Sequence, residues 1–300
     1  MKESLQTFVN WIDLHLSRSR VERFNVDFNN TQNEMFILRD DLIHPLDSGN
    51  KLRKLKFNLI ESYRANCSGI VSYGGAFSNH LLACAAISNE LSIPMILFVR
   101  GEELNNQSNG VLKKCVELGA QLKFLSRKEY KQKKNESGVI KIEEKYFWSI
   151  PEGGANCLGV KGCHEIGTLI TDFSHILMAV GTGTTFLGIY EELSTHVNFF
   201  LNLTVSPNVL SNLPIGLQTP SFDYNRIKII NSEIQEKFGK MNDDVREFSH
   251  NHNKKSYIQL DPLYTGSTLY RYLKNYNSSR ISKTEQILFV HTGGINQKYW

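Results

Sequence analysis

No stretch of the 300 residues approaches the roughly 20 apolar residues that a helix needs to cross a bilayer. Met1 to Arg20 is polar and has no long apolar core, so no secretory leader is expected. The five cysteines (Cys67, Cys84, Cys115, Cys157 and Cys163) are odd in number and include no CxxC pair. That excludes a disulfide scaffold and predicts a reducing, cytosolic setting. Cys84, inside Leu81-Leu82-Ala83-Cys84-Ala85-Ala86, reads as a small buried apolar residue. Cys163-His164 and His175 lack zinc spacing, so no metal site is expected. The net charge of +4 is too small to imply a nucleic-acid partner, though it helps attract an anionic cofactor or a carboxylate substrate. Repeats and linker-like segments are also missing.

What is present is an ordinary globular composition, with 41% hydrophobic and 21% charged residues, in a chain long enough for one large or two medium domains. Residues 35–39 read as a strand ending at Asp40-Asp41, followed by a loop from His44 to Gly49 and a helix from about Lys51 to Arg64. Ile70 to Tyr73 reads as a strand, Asn79 to Glu90 as a helix, and Pro94 to Arg100 as a strand. Gly110 to Leu118 reads as a helix and Gln121 to Leu125 as a strand. Arg127 to Ser137, rich in charge, reads as a solvated loop or surface helix. A second alternation starts at Ile166: strand Ser174 to Val180, helix to about Leu193, then strands at Phe199 to Val205 and Gln286 to His291. This alternation predicts an α/β protein with mostly parallel sheets covered by helices, most simply two lobes sharing one cleft.

Three junctions carry candidate chemistry. The buried strand ending at Val180 runs into Gly181-Thr182-Gly183-Thr184-Thr185 and a helix. Glycines let the backbone approach an anion, and free N–H groups at the helix start point towards it. No Gly-Lys-Ser/Thr follows, Gly188 falls too late for GxGxxG, and no acidic residue ends a following strand. A single phosphate monoester fits better than a diphosphate; the bland alternative is an ordinary strand-to-helix turn. Ser48-Gly49-Asn50-Lys51-Leu52-Arg53-Lys54 puts Lys51 at a helix N-terminus, where the dipole lowers an amine's pKa, as Schiff-base chemistry needs. A plain surface lysine is the alternative. Ser78, Asn79 and His80 crowd polar groups at the start of an apolar helix, either as simple N-caps or as a carboxylate pocket.

Beyond these junctions, Leu38 to Leu42, Ser48 to Leu55, Gly74 to His80, Pro151 to Asn156, Val180 to Thr185, Asp261 to Gly266 and His291 to Gly294 together resemble one family. It is the 1-aminocyclopropane-1-carboxylate (ACC) deaminase / D-cysteine desulfhydrase family of pyridoxal 5'-phosphate enzymes, fold type II. The resemblance spans nearly the whole chain in the family's order. It implies two three-layer α/β domains with the cofactor in the cleft between them. The larger would comprise 1–48 and 166–300, and the smaller 49–165. It further implies a homodimer and a small amino-acid substrate.

By the same resemblance, Lys51 carries the cofactor as a Schiff base, with Lys54 the lesser candidate. Lys54, Asn50 and the backbone from Gly181 through Thr182, Gly183 and Thr184 to Thr185 hold the phosphate. Asn79 meets the ring hydroxyl and Thr292 the ring nitrogen. Ser78, with Asn79 and His80, binds the substrate carboxylate, and Tyr264 projects towards the substrate; without the resemblance, a buried tyrosine would serve as well. The expected reaction is β-elimination. The substrate amine displaces Lys51, and Lys51 or Ser78 with it removes the Cα proton. A thiol or sulfide then leaves, and hydrolysis yields a 2-oxo acid and ammonia.

The segment 287–300 contains no Asp or Glu, and Phe289 stands where ring-opening relatives have tyrosine. Both features point to D-cysteine desulfhydration, with ACC ring opening as the alternative. A cofactor-free relative acting as a binding module is the alternative outside enzymology. Met241 to Lys255 is expected to form an atypical loop beside the cleft.

Overall fold

The computed structural model describes residues 5–44, 49–170, 172–193, 196–211, 213, 222–230, 242–276 and 286–294. Residues 45–48 of the expected loop before Gly49 lie outside them.

The chain opens with helix α1 (Leu5–Leu16), then the hairpin β1 (Val21–Phe28) and β2 (Thr31–Arg39). The turn between them is Asn29-Asn30, with φ of 49° and 60°. Two consecutive positive φ values make the mirror-image turn that suits a tight hairpin, and asparagine tolerates them. Helix α2 (Asn50–Arg64), β3 (Gly69–Gly74), α3 (Asn79–Glu90), β4 (Met95–Arg100), α4 (Gly110–Glu117) and β5 (Gln121–Leu125) follow within two residues of the expected bounds. The charged segment forms a short helix, α5 (Arg127–Lys133), opened by a capping box between Ser126 and Glu129. A second hairpin, β6 (Gly138–Ile142) and β7 (Lys145–Ile150), leads to α6 (Cys157–Leu169). The chain continues through β8 (His175–Val180), α7 (Thr184–Glu192), β9 (Asn198–Leu203) and β10 (Ile227–Ile229). It closes with α8 (Asp243–Lys255), α9 (Thr265–Asn275) and β11 (Ile287–His291). The segment expected as an atypical loop is therefore helix α8. Asn242 caps it, Asp243 and Asp244 occupy its first turn and Lys254 and Lys255 its last, so its charges suit the dipole at both ends.

Two sheets form among the described residues. One has six strands in the order β1-β2-β11-β8-β9-β10, the other five in the order β5-β4-β3-β7-β6. Every pairing is parallel except the two hairpins, β1 with β2 and β6 with β7. The six-stranded sheet is covered on both faces. Ile176, Met178, Leu201 and Val290 pack with Phe186 and Ile189 of α7, while Leu177, Phe200 and Phe289 pack with Leu269 and Leu273 of α9. The five-stranded sheet buries Ile70, Leu97 and Val99 against α2, α3 and α4, and Val71, Tyr73 and Phe98 against Tyr130 of α5. This is the expected three-layer arrangement, twice. The apolar face of α1 (Phe8, Ile12, Leu16) joins the core beneath the five-stranded sheet.

Candidate active site

Parallel strands aligned in this way send their carboxyl ends to one side, where α/β proteins bind ligands. Here β2 leads through Asp40 and Asp41 towards Gly49 and Lys51, β3 ends before Ser78, and β7 ends before Gly153 and Gly154. β8 ends just before Gly181 and β11 just before Thr292. The five ends thus deliver residues far apart in sequence to one place.

At its centre the Lys51 ammonium donates to Asn50 Oδ1 at 2.7 Å, and Asn50 Nδ2 donates to Thr185 Oγ1 at 2.8 Å. One amide therefore ties the lysine to the glycine-threonine turn. The Asn50 backbone N–H donates to the carbonyl of Thr292 at 3.3 Å, which brings in the end of β11. Gly49 makes this approach possible. Its φ is 40°, and a Cβ there would lie 2.2 Å from the Thr292 oxygen.

Burial, and then the charge of Lys54, pushes the Lys51 amine down from 10.5 to about 7. Helix position alone suggested the same direction; the larger cause is desolvation. Lys51 is partly exposed at its surface, whereas Lys54 is buried, and burial lowers the pKa of Lys54. The helix that carries both lysines is anchored below the site. Arg53 makes a two-pronged pair with Asp40, both bonds 2.9 Å, at 2% and 0% side-chain exposure. Arg39 does the same with Asp41 at 2.8 and 2.7 Å. A Cβ on Gly162 of α6 would fall 1.9 Å from the Arg53 carbonyl oxygen, so α6 crosses α2 in close contact.

In the glycine-threonine turn, Gly183 adopts φ 83° as the N-cap of α7, and Thr182 and Thr184 share a hydroxyl contact of 3.0 Å. Thr184 and Thr185 are buried, whereas a Cβ on Gly181 would meet nothing closer than 3.7 Å. The loop after β7 closes over the turn. Gly153 and Gly154 have φ of 70° and 69° and press against Thr182 and Lys54 respectively. The sequence marked this Gly-Gly pair only as part of a motif. Its positive φ values and close packing give it a shaping role.

On the facing side, Ser78 caps α3 by accepting the Leu81 N–H at 3.3 Å, which leaves its own O–H to donate. A Cβ on Gly74 would lie 2.8 Å from Ser78 Oγ, so this turn also needs glycine. Asn79 Oδ1 is buried and has no hydrogen-bond partner. His80 is buried behind them. Ser72 gives its hydrogen to the Ile150 carbonyl at 2.9 Å, so the 2.8 Å contact with His80 Nε2 must be an N–H donation from histidine. The ring is neutral. Burial, with Lys51 and Lys54 nearby, pushes its pKa down to about 3.

Tyr264 precedes α9. Burial first, then the carboxylates of Asp261 and Glu152, push its phenol up to about 12. Sequence reading did not single out Asp261 as a site residue. It is fully buried, and its Oδ1 accepts the N–H groups of Leu263 and Tyr264 at 2.7 and 2.8 Å. Its Oδ2 would lie 3.3 Å from a Cβ on Gly294, with Asn79 Nδ2 3.4 Å from the same point. Its charge opposes the drop in the Lys51 pKa. Phe289 is fully buried in the core between the six-stranded sheet and α9, so its identity carries no argument about substrate.

The chain matches the family described as "Pyridoxal-phosphate dependent enzyme" over residues 13–293. It is 29% identical to a putative 1-aminocyclopropane-1-carboxylate deaminase of Thermotoga maritima, over 87% of this chain and 88% of that one. Identity to the mitochondrial bifunctional D-cysteine desulfhydrase/1-aminocyclopropane-1-carboxylate deaminase of Arabidopsis thaliana is 26%, over 92% and 76%. Identity to the D-cysteine desulfhydrase of Serratia proteamaculans is 25%, over 87% and 86%. Among solved structures, an ACC deaminase homologue superposes with a TM-score of 0.69 at 23% identity, covering 89% of this chain and 86% of that one. A hydrogen sulfide-producing enzyme from Fusobacterium nucleatum does so at 0.64 and 17%, covering 97% and 99%. These two likenesses bear on the fold alone. With five strand ends delivering a depressed lysine and a phosphate-suited turn to one cleft, and the match running almost end to end, the chain belongs to the pyridoxal-phosphate dependent enzymes of the ACC deaminase / D-cysteine desulfhydrase type, and its cofactor is pyridoxal 5'-phosphate.

Proposed function

We propose that the protein is a lyase that eliminates the β-substituent of a small amino acid, D-cysteine in the first instance, to give pyruvate, sulfide and ammonia. The observation that carries the reading is the Lys51–Asn50–Thr185 bridge, which joins a depressed amine to an anion-suited turn. The residues fit a phosphorylated pyridine. Asn79 Oδ1 is a buried acceptor in want of a donor, Gly181 leaves room above the turn, and the buried Lys54 stands one helical turn beyond Lys51.

Lys51 would hold the cofactor, with Lys54, Asn50 and the backbone of Gly181 to Thr185 around its phosphate. Asn79 would take the ring hydroxyl and Thr292 the ring nitrogen. When bound, pyridoxal phosphate supplies the electron sink for breaking bonds at the substrate's Cα and Cβ. Lys51 Nζ, neutral for a large fraction of the time near pH 7, takes the Cα proton. The Ser78 hydroxyl donates to the substrate carboxylate, beside Asn79. His80, neutral and fixed by Ser72, supports that turn from behind without adding charge. Tyr264 keeps its proton through neutral pH and serves as the donor to the departing sulfur.

The second reading is ACC ring opening, favoured by the name of the Thermotoga relative, while the Arabidopsis relative is named for both activities. The lack of Asp and Glu in 287–300 speaks less against it than the sequence suggests, because Asp261 reaches the site from the loop before α9. Support for elimination rests on Thr292, whose hydroxyl offers no negative charge to a ring nitrogen and so leaves a weaker electron sink. Purified protein is expected to release sulfide and pyruvate from D-cysteine and no 2-oxobutanoate from ACC. The reverse pattern would overturn the choice. We further read the protein as a cytosolic homodimer, with 49–165 as the smaller domain inserted into the larger.

A further inference from the structure

Among the described residues, one set of metal-ligand side chains lies outside the cleft: His15, His44 and Glu90. They come from three separate places, namely the last turn of α1, the stretch that follows β2, and the last residue of α3. One ligand atom from each lies within 4.8 Å of the others. The His44 side chain is fully buried and that of Glu90 is 37% exposed, so the cluster has a dry floor and one side open to water.

The donor chemistry is specific. Two imidazoles and a carboxylate, with a water in the fourth place, are a common set for zinc, at bond lengths of about 2.0–2.2 Å. His15 Nδ1 lies 2.8 Å from the Trp11 carbonyl oxygen. A carbonyl only accepts, so the proton sits on Nδ1 and Nε2 carries the lone pair. An imidazole held in this way by its other nitrogen is prepared for a metal. Trp11 also lies over the His15 ring at 4.0 Å between centroids, which fixes its plane. His44 Nε2 and Glu90 Oε1 are 2.7 Å apart, and a tetrahedral ion between them would need about 3.3 Å, a small opening on the exposed side. Helices α1 and α3 both end here, and the negative ends of their dipoles favour a cation. The opposing charge is Arg18, which is exposed and therefore screened.

We propose that His15, His44 and Glu90 form a binding site for a divalent transition-metal ion of the zinc type, separate from the cofactor cleft. Its role is structural. It clamps α1 and the end of α3 to the segment that leads into Lys51. The inference is independent of which amino acid the cleft accepts.

The test is calorimetric titration of the chelator-dialysed holoenzyme with zinc chloride alone. The wild type should bind one equivalent that Glu90→Gln and His15→Ala weaken at least about tenfold. At one zinc concentration, the unfolding midpoint of the wild type should rise clearly more than that of Glu90→Gln. Cys157→Ser, which removes an exposed thiol elsewhere, should bind like the wild type. Absence of binding, equal affinity in the ligand variants, or loss of binding in Cys157→Ser overturns the proposal. If His15→Ala does not fold, the half-exposed Glu90→Gln decides alone.

Discussion

Alanine at position 49 would place a methyl group against the chain that carries Thr292. Gly49 has φ 40° and ψ −132°, and a Cβ there would lie 2.2 Å from the Thr292 oxygen. A carbon–oxygen contact becomes comfortable at about 3.3 Å, which leaves a shortfall of roughly 1.1 Å. Neither partner is a flexible side-chain end; both are backbone, and the same carbonyl receives the Asn50 N–H. Strain of this kind costs on the order of 1–3 kcal/mol, which a protein with a stability of about 5–15 kcal/mol survives. The relief open to it is withdrawal of the start of α2, and Lys51 with it, by roughly 1 Å. Misplacement of that size lowers rates about 100-fold. Gly49→Ala should therefore fold, lose about 1–3 kcal/mol in urea titration and lose turnover about 100-fold. A folded variant with wild-type turnover would refute the claim that this close approach sets the position of the lysine.

Asp40→Asn leaves the Arg53 guanidinium buried without its carboxylate, and should cost about 3–5 kcal/mol by urea unfolding; a loss under 1 kcal/mol would show that the pair is not an anchor. His80 has its pKa depressed from 6.5 to about 3, so the unfolded chain takes up a proton that the folded chain refuses between those values. Stability should fall as pH drops through that window, by up to about 1.4 kcal/mol per pH unit from this group, and the slope should shrink in His80→Gln. An unchanged slope would place the sensitivity elsewhere. Cofactor-free protein should take up pyridoxal phosphate at a rate that rises with an apparent pKa near 7, not near the ordinary lysine value of 10.5, because burial and Lys54 disfavour the ammonium. A rate still climbing steeply above pH 9 would contradict that.

The parallel, buried strands were legible because they read as short apolar runs followed by turn residues. Helix α3 falls where its apolar composition and the Ser78 cap put it. What escaped were elements that face water on one side. β1 alternates, burying Phe24 and Val26 between Glu22, Asn25 and Asp27, and its clearest signal was the Asn29-Asn30 turn. The β6–β7 hairpin and α1 have similarly mixed faces. At the site, Lys51, Asn50, Thr185 and Thr292 lie together, and each sits next to a glycine-marked turn that the sequence displays. Asp261 escaped because its importance comes from packing beside Gly294 and Asn79, which no local pattern encodes. The same holds for Ser72, whose hydroxyl fixes the protonation of His80 from the interior of β3.

The most direct test of the account is the visible spectrum of the purified protein. Pyridoxal phosphate held on Lys51 predicts a yellow absorbance band in the wild type. The band should be lost in Lys51→Ala and kept in Lys54→Ala, though with weaker retention of the cofactor. A colourless wild type after refolding with pyridoxal phosphate, or an intact band in Lys51→Ala, would contradict it.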